Sequence, residues 1–146
     1  MTNDAPDKKA LVREYLGAFN DRDREAMGEL LAADAVEHGV HGEIQGREAI
    51  VDFLAGHFEA FPDYSGTMEQ IVAEDDNVTV RYTASGTHTG EYRDVEPTGE
   101  TAEWTGIAIY QVEDGEITEI WLEEDRLGLL EQLELVESQP AAHLRL

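Results

Sequence analysis

The spacing of apolar residues changes once along this chain, at Pro62, and no other feature restricts the fold as strongly. From Asp7 to Asn20, Leu11, Tyr15, Leu16 and Phe19 recur at helical intervals, and Asn20-Asp21 breaks the run. A short second helix follows, with Met27, Leu30 and Leu31 on one side, ending before Asp34. Residues 35–41 alternate weakly, as a short strand does. "GREAIVDFLAGHFEAFPD" predicts a third helix with an apolar stripe of Ile50, Phe53, Leu54, His57, Phe58 and Phe61. Pro62 ends it, because proline lacks the amide hydrogen that a helix interior needs.

Beyond Pro62 the period falls to two. "YSGTMEQIVAED" and "NVTVRYTASGTHTG" read as strands joined by a turn, and "TAEWTGIAIYQVEDG" meets "EITEIWLEED" at a tight "EDGE" hairpin. "RLGLLEQLEL" closes the pattern as a short helix. Three helices followed by a meander of strands predict an α+β domain: a curved antiparallel sheet carrying the three helices on one face. Such a cone of sheet and helix leaves a concave mouth, a common place for a small-molecule pocket. The domain is expected over residues 8–133, with tails at 1–7 and 134–146.

At 146 residues and 41% hydrophobic content the chain can enclose one core. It has no cysteine, so no disulfide and no thiolate nucleophile is available. No two histidines fall at the i, i+4 spacing of a helical zinc site, so no metal is expected. Neither a membrane-length apolar run nor an apolar signal region is present, and a cytoplasmic location is the expectation. The net charge of −23, from 33 acids against 10 bases, would repel nucleic acid and anionic membrane. These acids are spread over the whole length and interleaved with apolar positions. That pattern suits a surface adapted to high salt, where screening removes most self-repulsion.

Four ordered motifs then carry a resemblance. Phe61-Pro62-Asp63, the run Gly86 to Gly90 ("GTHTG"), Pro97-Thr98-Gly99, and Trp121 through Asp125 to Leu133 together resemble the SnoaL-like polyketide cyclases of the NTF2-like superfamily. The likeness covers roughly residues 8–133 and departs at "RDVEPTG", which lacks a glycine before Pro97, and at Glu100, where a base is common. It implies an NTF2-like, cystatin-like cone and a homodimer paired through the open sheet face. It further implies a small apolar or aromatic ketone or ester as ligand, with acid/base chemistry and no cofactor. One fold hosts many reactions, so an isomerase, an epoxide-hydrolase-type enzyme and a non-catalytic binder stand as alternatives.

Uninterrupted alternation over 117–125 puts Ile117, Glu119, Trp121, Glu123 and Asp125 on one face, with Thr118, Ile120, Leu122 and Glu124 on the other. The resemblance makes Asp125 the acid/base residue facing substrate. The residues alone equally allow it to be the N-cap of the last helix, a position aspartate favours. The resemblance also implies a polar pocket residue and catalytic partner at His38, with a hydrogen-bonded histidine at the edge of the cone as the alternative. His57 and His88 are candidate ligand contacts, each with a structural alternative as a helix-stripe or bend-holding residue. Tyr15, Phe19, Phe53, Tyr82, Trp104 and Trp121 are expected to line or back the cavity, with core packing as the alternative for each and Trp104 and Trp121 the better pocket candidates. Glu119 is expected to help keep Asp125 protonatable.

Overall fold

The computed structural model describes residues 5–137. Residues 1–4 and 138–146, which include most of the expected tails, lie outside the described residues. In chain order the elements are α1 (Ala5–Asn20), α2 (Arg24–Leu30), β1 (Leu31–Gly39), β2 (Gly42–Gln45), α3 (Arg47–Ala60), β3 (Ser65–Glu74), β4 (Asn77–Thr87), β5 (Thr101–Glu113), β6 (Glu116–Glu124) and α4 (Arg126–Gln132). The α+β architecture is as the spacing predicts. The switch at Pro62 separates α3 from the four-stranded meander, and the meander is antiparallel throughout.

Six strands form one unclosed sheet in the order β2-β1-β6-β5-β4-β3. The short strand expected at 35–41 starts earlier, directly after α2, and folds back on β2 through a hairpin that the weak alternation did not reveal. β1 lies parallel to β6, with His38 opposite Trp121, so the sheet is mixed at this one pairing. A parallel neighbour needs a long crossover, and the whole of α3 and the meander supplies it.

β3 and β6 each carry one extra residue, and β1 breaks register with β6 between Leu31 and Val36. On β3, Met68 faces Tyr82 and Gln70 faces Arg81, leaving Glu69 unpaired. On β6, Glu119 faces Gln111 and Ile117 faces Val112, leaving Thr118 as the additional residue. Its hydroxyl bonds the Gln111 carbonyl at 3.2 Å. Such bulges bend a strand and increase its twist, which helps curl this sheet around the helices.

α1 packs on β3 and β4, α3 on β1 and β2, and α4 on β5. Two groups of buried residues result. One, under α1 and α3, includes Val12, Met27, Leu31, Ile50 and Ile117. The other, at the α4 end, includes Phe61, Trp104, Leu129 and Leu133. The space between them is where the candidate site lies.

Candidate functional site

A cavity of about 290 Å³ separates the two packed groups. Its walls come from α1 (Tyr15, Phe19), the loop after α3 (Tyr64) and the inward faces of β4 and β5 (Tyr82, Trp104, Tyr110). Two acids break this aromatic lining: Glu37 from β1 and Glu124 from the end of β6. A second, small chamber of about 30 Å³ lies between β1, β2, α3 and the start of α4. It shares Glu37, His57 and Glu124 with the main cavity.

The two acids have different surroundings. Glu124 accepts a hydrogen bond from the Tyr82 hydroxyl at 2.8 Å and faces the Arg126 guanidinium at 3.3 Å. Arg126 in turn donates to the Tyr92 hydroxyl at 2.7 Å. Tyr82 reaches Glu124 because its ring lies across Gly106, its partner in the β4–β5 register; a Cβ there would collide with the hydroxyl. Glu37 is 3% exposed, and no hydrogen bond or cation among the described residues compensates its carboxyl. Burial, and then the charge of Glu124, push it up to about 7.

Around Glu37 stand Tyr15 and Tyr110, with ring centres 5.9 Å apart and edge to face. Burial raises both phenols well above their usual range, and the charge of Glu37 adds to it. Among the described residues the buried Tyr15 hydroxyl and His57 Nδ1 have no hydrogen-bond partner. Burial also lowers the His57 pKa, keeping the imidazole neutral, although Glu124 pulls the other way. The cavity therefore offers a protonatable carboxyl, an unengaged phenol beside it and an apolar wall. These are the parts needed to move a proton on a carbonyl compound.

The expected residues divide between the two faces of the sheet. Tyr15, Phe19, His57, Tyr82 and Trp104 line the cavity, and Phe53 lines the small chamber. Trp121 lies on the outer face, 37% exposed, with the His38 ring stacked on it at 5.6 Å. Glu119 is there too, 2.6 Å from His38 Nε2. Asp125 is exposed and outside the cavity, its carboxylate accepting from the Gly128 amide at 2.8 Å as the N-cap of α4. The face assignment across 117–125 is therefore corrected. The extra residue Thr118 shifts the alternation, so Ile117 and Ile120 both point inward, and Leu122 and Glu124 follow Ile120.

His88 does not line the cavity. It is fully buried against Phe61, and its Nδ1 accepts from the Thr98 amide at 3.2 Å. Asp63 accepts from both the amide and the hydroxyl of Thr87, at 2.7 and 2.8 Å. Three of the four recognition motifs thus hold one another and the loop between β4 and β5, rather than supplying site groups. Glu37, Glu124, Tyr64 and Tyr110 were not anticipated in the site. For Glu124 a signal existed: it continues the apolar face of Ile120 and Leu122. Glu37 carried none.

The fold and site together define a small-molecule cavity protein of the α+β cone type. A family model for SnoaL-like polyketide cyclase matches residues 9–133, and the chain belongs to that family. Among solved structures it is similar to the candidate polyketide cyclase IdmH of Streptomyces antibioticus, with 32% identity, 87% of this chain and 98% of that chain covered, and a TM-score of 0.77. It is also similar to the candidate hydroxylase AclR of Streptomyces galilaeus, with 29% identity, coverage of 97% and 89%, and a TM-score of 0.84. TsrD of Streptomyces laurentii shows 26% identity, coverage of 92% and 100%, and a TM-score of 0.83. No curated protein is detectably similar in sequence.

Proposed function

We propose that this protein is an acid/base enzyme that closes a ring in a small apolar or aromatic carbonyl compound, with Glu37 carrying the proton. The observation that supports this most is the uncompensated Glu37 carboxyl, buried in an aromatic cavity and held near neutrality. An acid/base group works best with its pKa near the working pH. As carboxylate, Glu37 takes a proton from the carbon alpha to a carbonyl, and the C–H electron pair moves into the enolate. The enolate carbon attacks a second carbonyl of the same molecule, and the resulting alkoxide takes the proton back from Glu37. Atoms and electrons balance with no further reactant. The cavity holds the two reacting carbons close and lowers the entropic barrier.

Glu124, fixed by Tyr82 and Arg126, keeps Glu37 from ionising too readily. In this reading Asp125 and His38 do not touch substrate; Asp125 positions α4, whose Leu129 and Leu133 pack in the buried group that includes the cavity residue Trp104. A second reading, water activation as in a hydrolase, draws on the small chamber. Its volume suits one water beside Glu37, Glu124 and His57. Incorporation of labelled oxygen from water into product separates the two readings.

The enolisation half-reaction can be tested without the natural substrate. Aryl 1,3-diketones in heavy water, followed by proton NMR, should exchange their alpha protons with the wild-type protein. Glu37→Gln should lower the rate by roughly two to four orders of magnitude, and Asp125→Asn should leave it nearly unchanged. Full exchange by the Glu37→Gln protein rejects the assignment. For the assembly, we infer a homodimer paired across the outer sheet face, where Ile107, Ile109 and Trp121 are exposed. We also infer that the acidic surface serves a high-salt milieu.

A further inference from the structure

Among the described residues, each charged side chain buried in this fold has a protein partner except one. Lys8, 5% exposed, bonds the Asp76 carboxylate at 2.6 Å and the Asp75 carbonyl at 2.9 Å. Glu124 has Tyr82 and Arg126. Glu37 has neither cation nor donor among the described residues. Arg126, which lines the small chamber with Glu37, is already engaged by Glu124 and Tyr92. Arg13 lies at the cavity rim and is exposed. The other groups that line the two cavities with Glu37 supply no positive charge. They are Tyr15 from α1, His57 from α3, Tyr64 from the loop after α3, Tyr82 from β4, Tyr110 from β5 and Glu124 from β6, with His41 in the lining of the small chamber. Burial is the largest cause lowering both His57 and His41, which favours their neutral forms.

The walls bear on the same question. Tyr15, Phe19, Tyr64, Tyr82, Trp104 and Tyr110 enclose the space. Aromatic rings present a negative face, and a desolvated cation between them gains substantially more than a neutral group of the same shape. The net charge of −23 also draws cations towards the protein and repels anions.

We propose that the cavity takes an aromatic or alicyclic molecule bearing a cationic nitrogen, whose charge sits against Glu37 and the ring faces and supplies the counter-charge that the protein lacks. This rests on the reading that the cavity is the substrate site. It adds a consequence for the chemistry: a substrate that arrives charged converts Glu37 to its carboxylate on binding, which is the form that removes a proton. A neutral or anionic substrate leaves Glu37 largely protonated below pH 7 and gains nothing from Glu124.

The test uses two molecules of nearly the same shape, phenyltrimethylammonium and tert-butylbenzene, in about 1 M KCl, where the screening length is about 3 Å and distant surface charge counts for little. At pH 8.5 the cation should bind on the order of thirtyfold more tightly than the neutral compound. Its affinity should fall as pH drops through about 7, because Glu37 must lose its proton to pair with it. Calorimetry at pH 6 in two buffers of different ionisation enthalpy should show about one proton released per cation bound. Glu37→Gln should remove the pH dependence and most of the preference, and the proton count on the wild-type protein needs no variant at all. Equal binding of the two compounds at pH 8.5, failure of the cation to bind there, or binding without proton release at pH 6 overturns the proposal. The diketone exchange uses neutral probes, so failure of the acid/base reading is distinguishable from failure of the cation to bind.

Discussion

Glu37 places a carboxyl in an apolar corner, and the cost of that placement is readable as a pH dependence of stability. Its folded value is near 7 against an ordinary 4.5, so between these values the folded chain binds more protons than the unfolded one. The unfolding free energy therefore falls as pH rises through this window. The contribution of Glu37 is complete below about pH 4.5 and lost above about pH 7, and the full shift corresponds to on the order of 3 kcal/mol. Urea unfolding of wild type and Glu37→Gln should show this directly: the variant should lack that part of the decline between pH 5 and 8. Parallel pH profiles for the two proteins would mean that Glu37 is not held as the geometry indicates. In sequence, Glu37 is one acid among 33, on a strand whose alternation is weak, and nothing local distinguishes it. Its role comes from β1 lying parallel to β6, a contact between residues some eighty positions apart.

At the level of elements, α4 depends on its first residue. Asp125 accepts from the Gly128 amide and satisfies one of the unpaired donors that every helix start presents. Asp125→Ala should cost about 1 kcal/mol, whereas Asp125→Asn should melt close to wild type because asparagine caps about as well. A large loss with asparagine would show that the charge, and not the cap, is what matters there. The capping role was legible from an aspartate set before a leucine-rich run, and so was the meander, since period-two alternation and the "EDGE" turn are local signals. The face of β6 was not. One residue, Thr118, inserted opposite the Gln111–Val112 step, changes which side chains point inward, and a bulge has no reliable signature in a single strand. Without it, the alternation that carries Ile117 inward would carry Trp121 and Asp125 inward as well. Likewise the motifs that identify the family were legible as residues but not as contacts. Asp63 to Thr87 and His88 to Thr98 bind the loop over residues 88–100 and leave the cavity to other side chains.

The whole molecule carries its charge and its chemistry on different surfaces. The acids of the exterior set how the protein responds to solvent, and a thermal melt across a salt series should show a rising midpoint from about 0.1 M to 2 M KCl as repulsion is screened. Full stability at the low end would contradict a high-salt adaptation. Inside, the protein isolates two carboxyls of unlike surroundings: Glu124 is fixed by Tyr82 and Arg126, and Glu37 is left free to change its proton. Environments that differ in this way are how paired acids divide their roles. The most direct test is the pH profile of alpha-proton exchange on a neutral aryl diketone, measured from pH 5 to 9 with wild type and Glu37→Gln. The rate should rise with pH through about 7 and then level, an inflection absent from Glu37→Gln. A wild-type profile that is flat over this range, or an inflection that survives in Glu37→Gln, would contradict it.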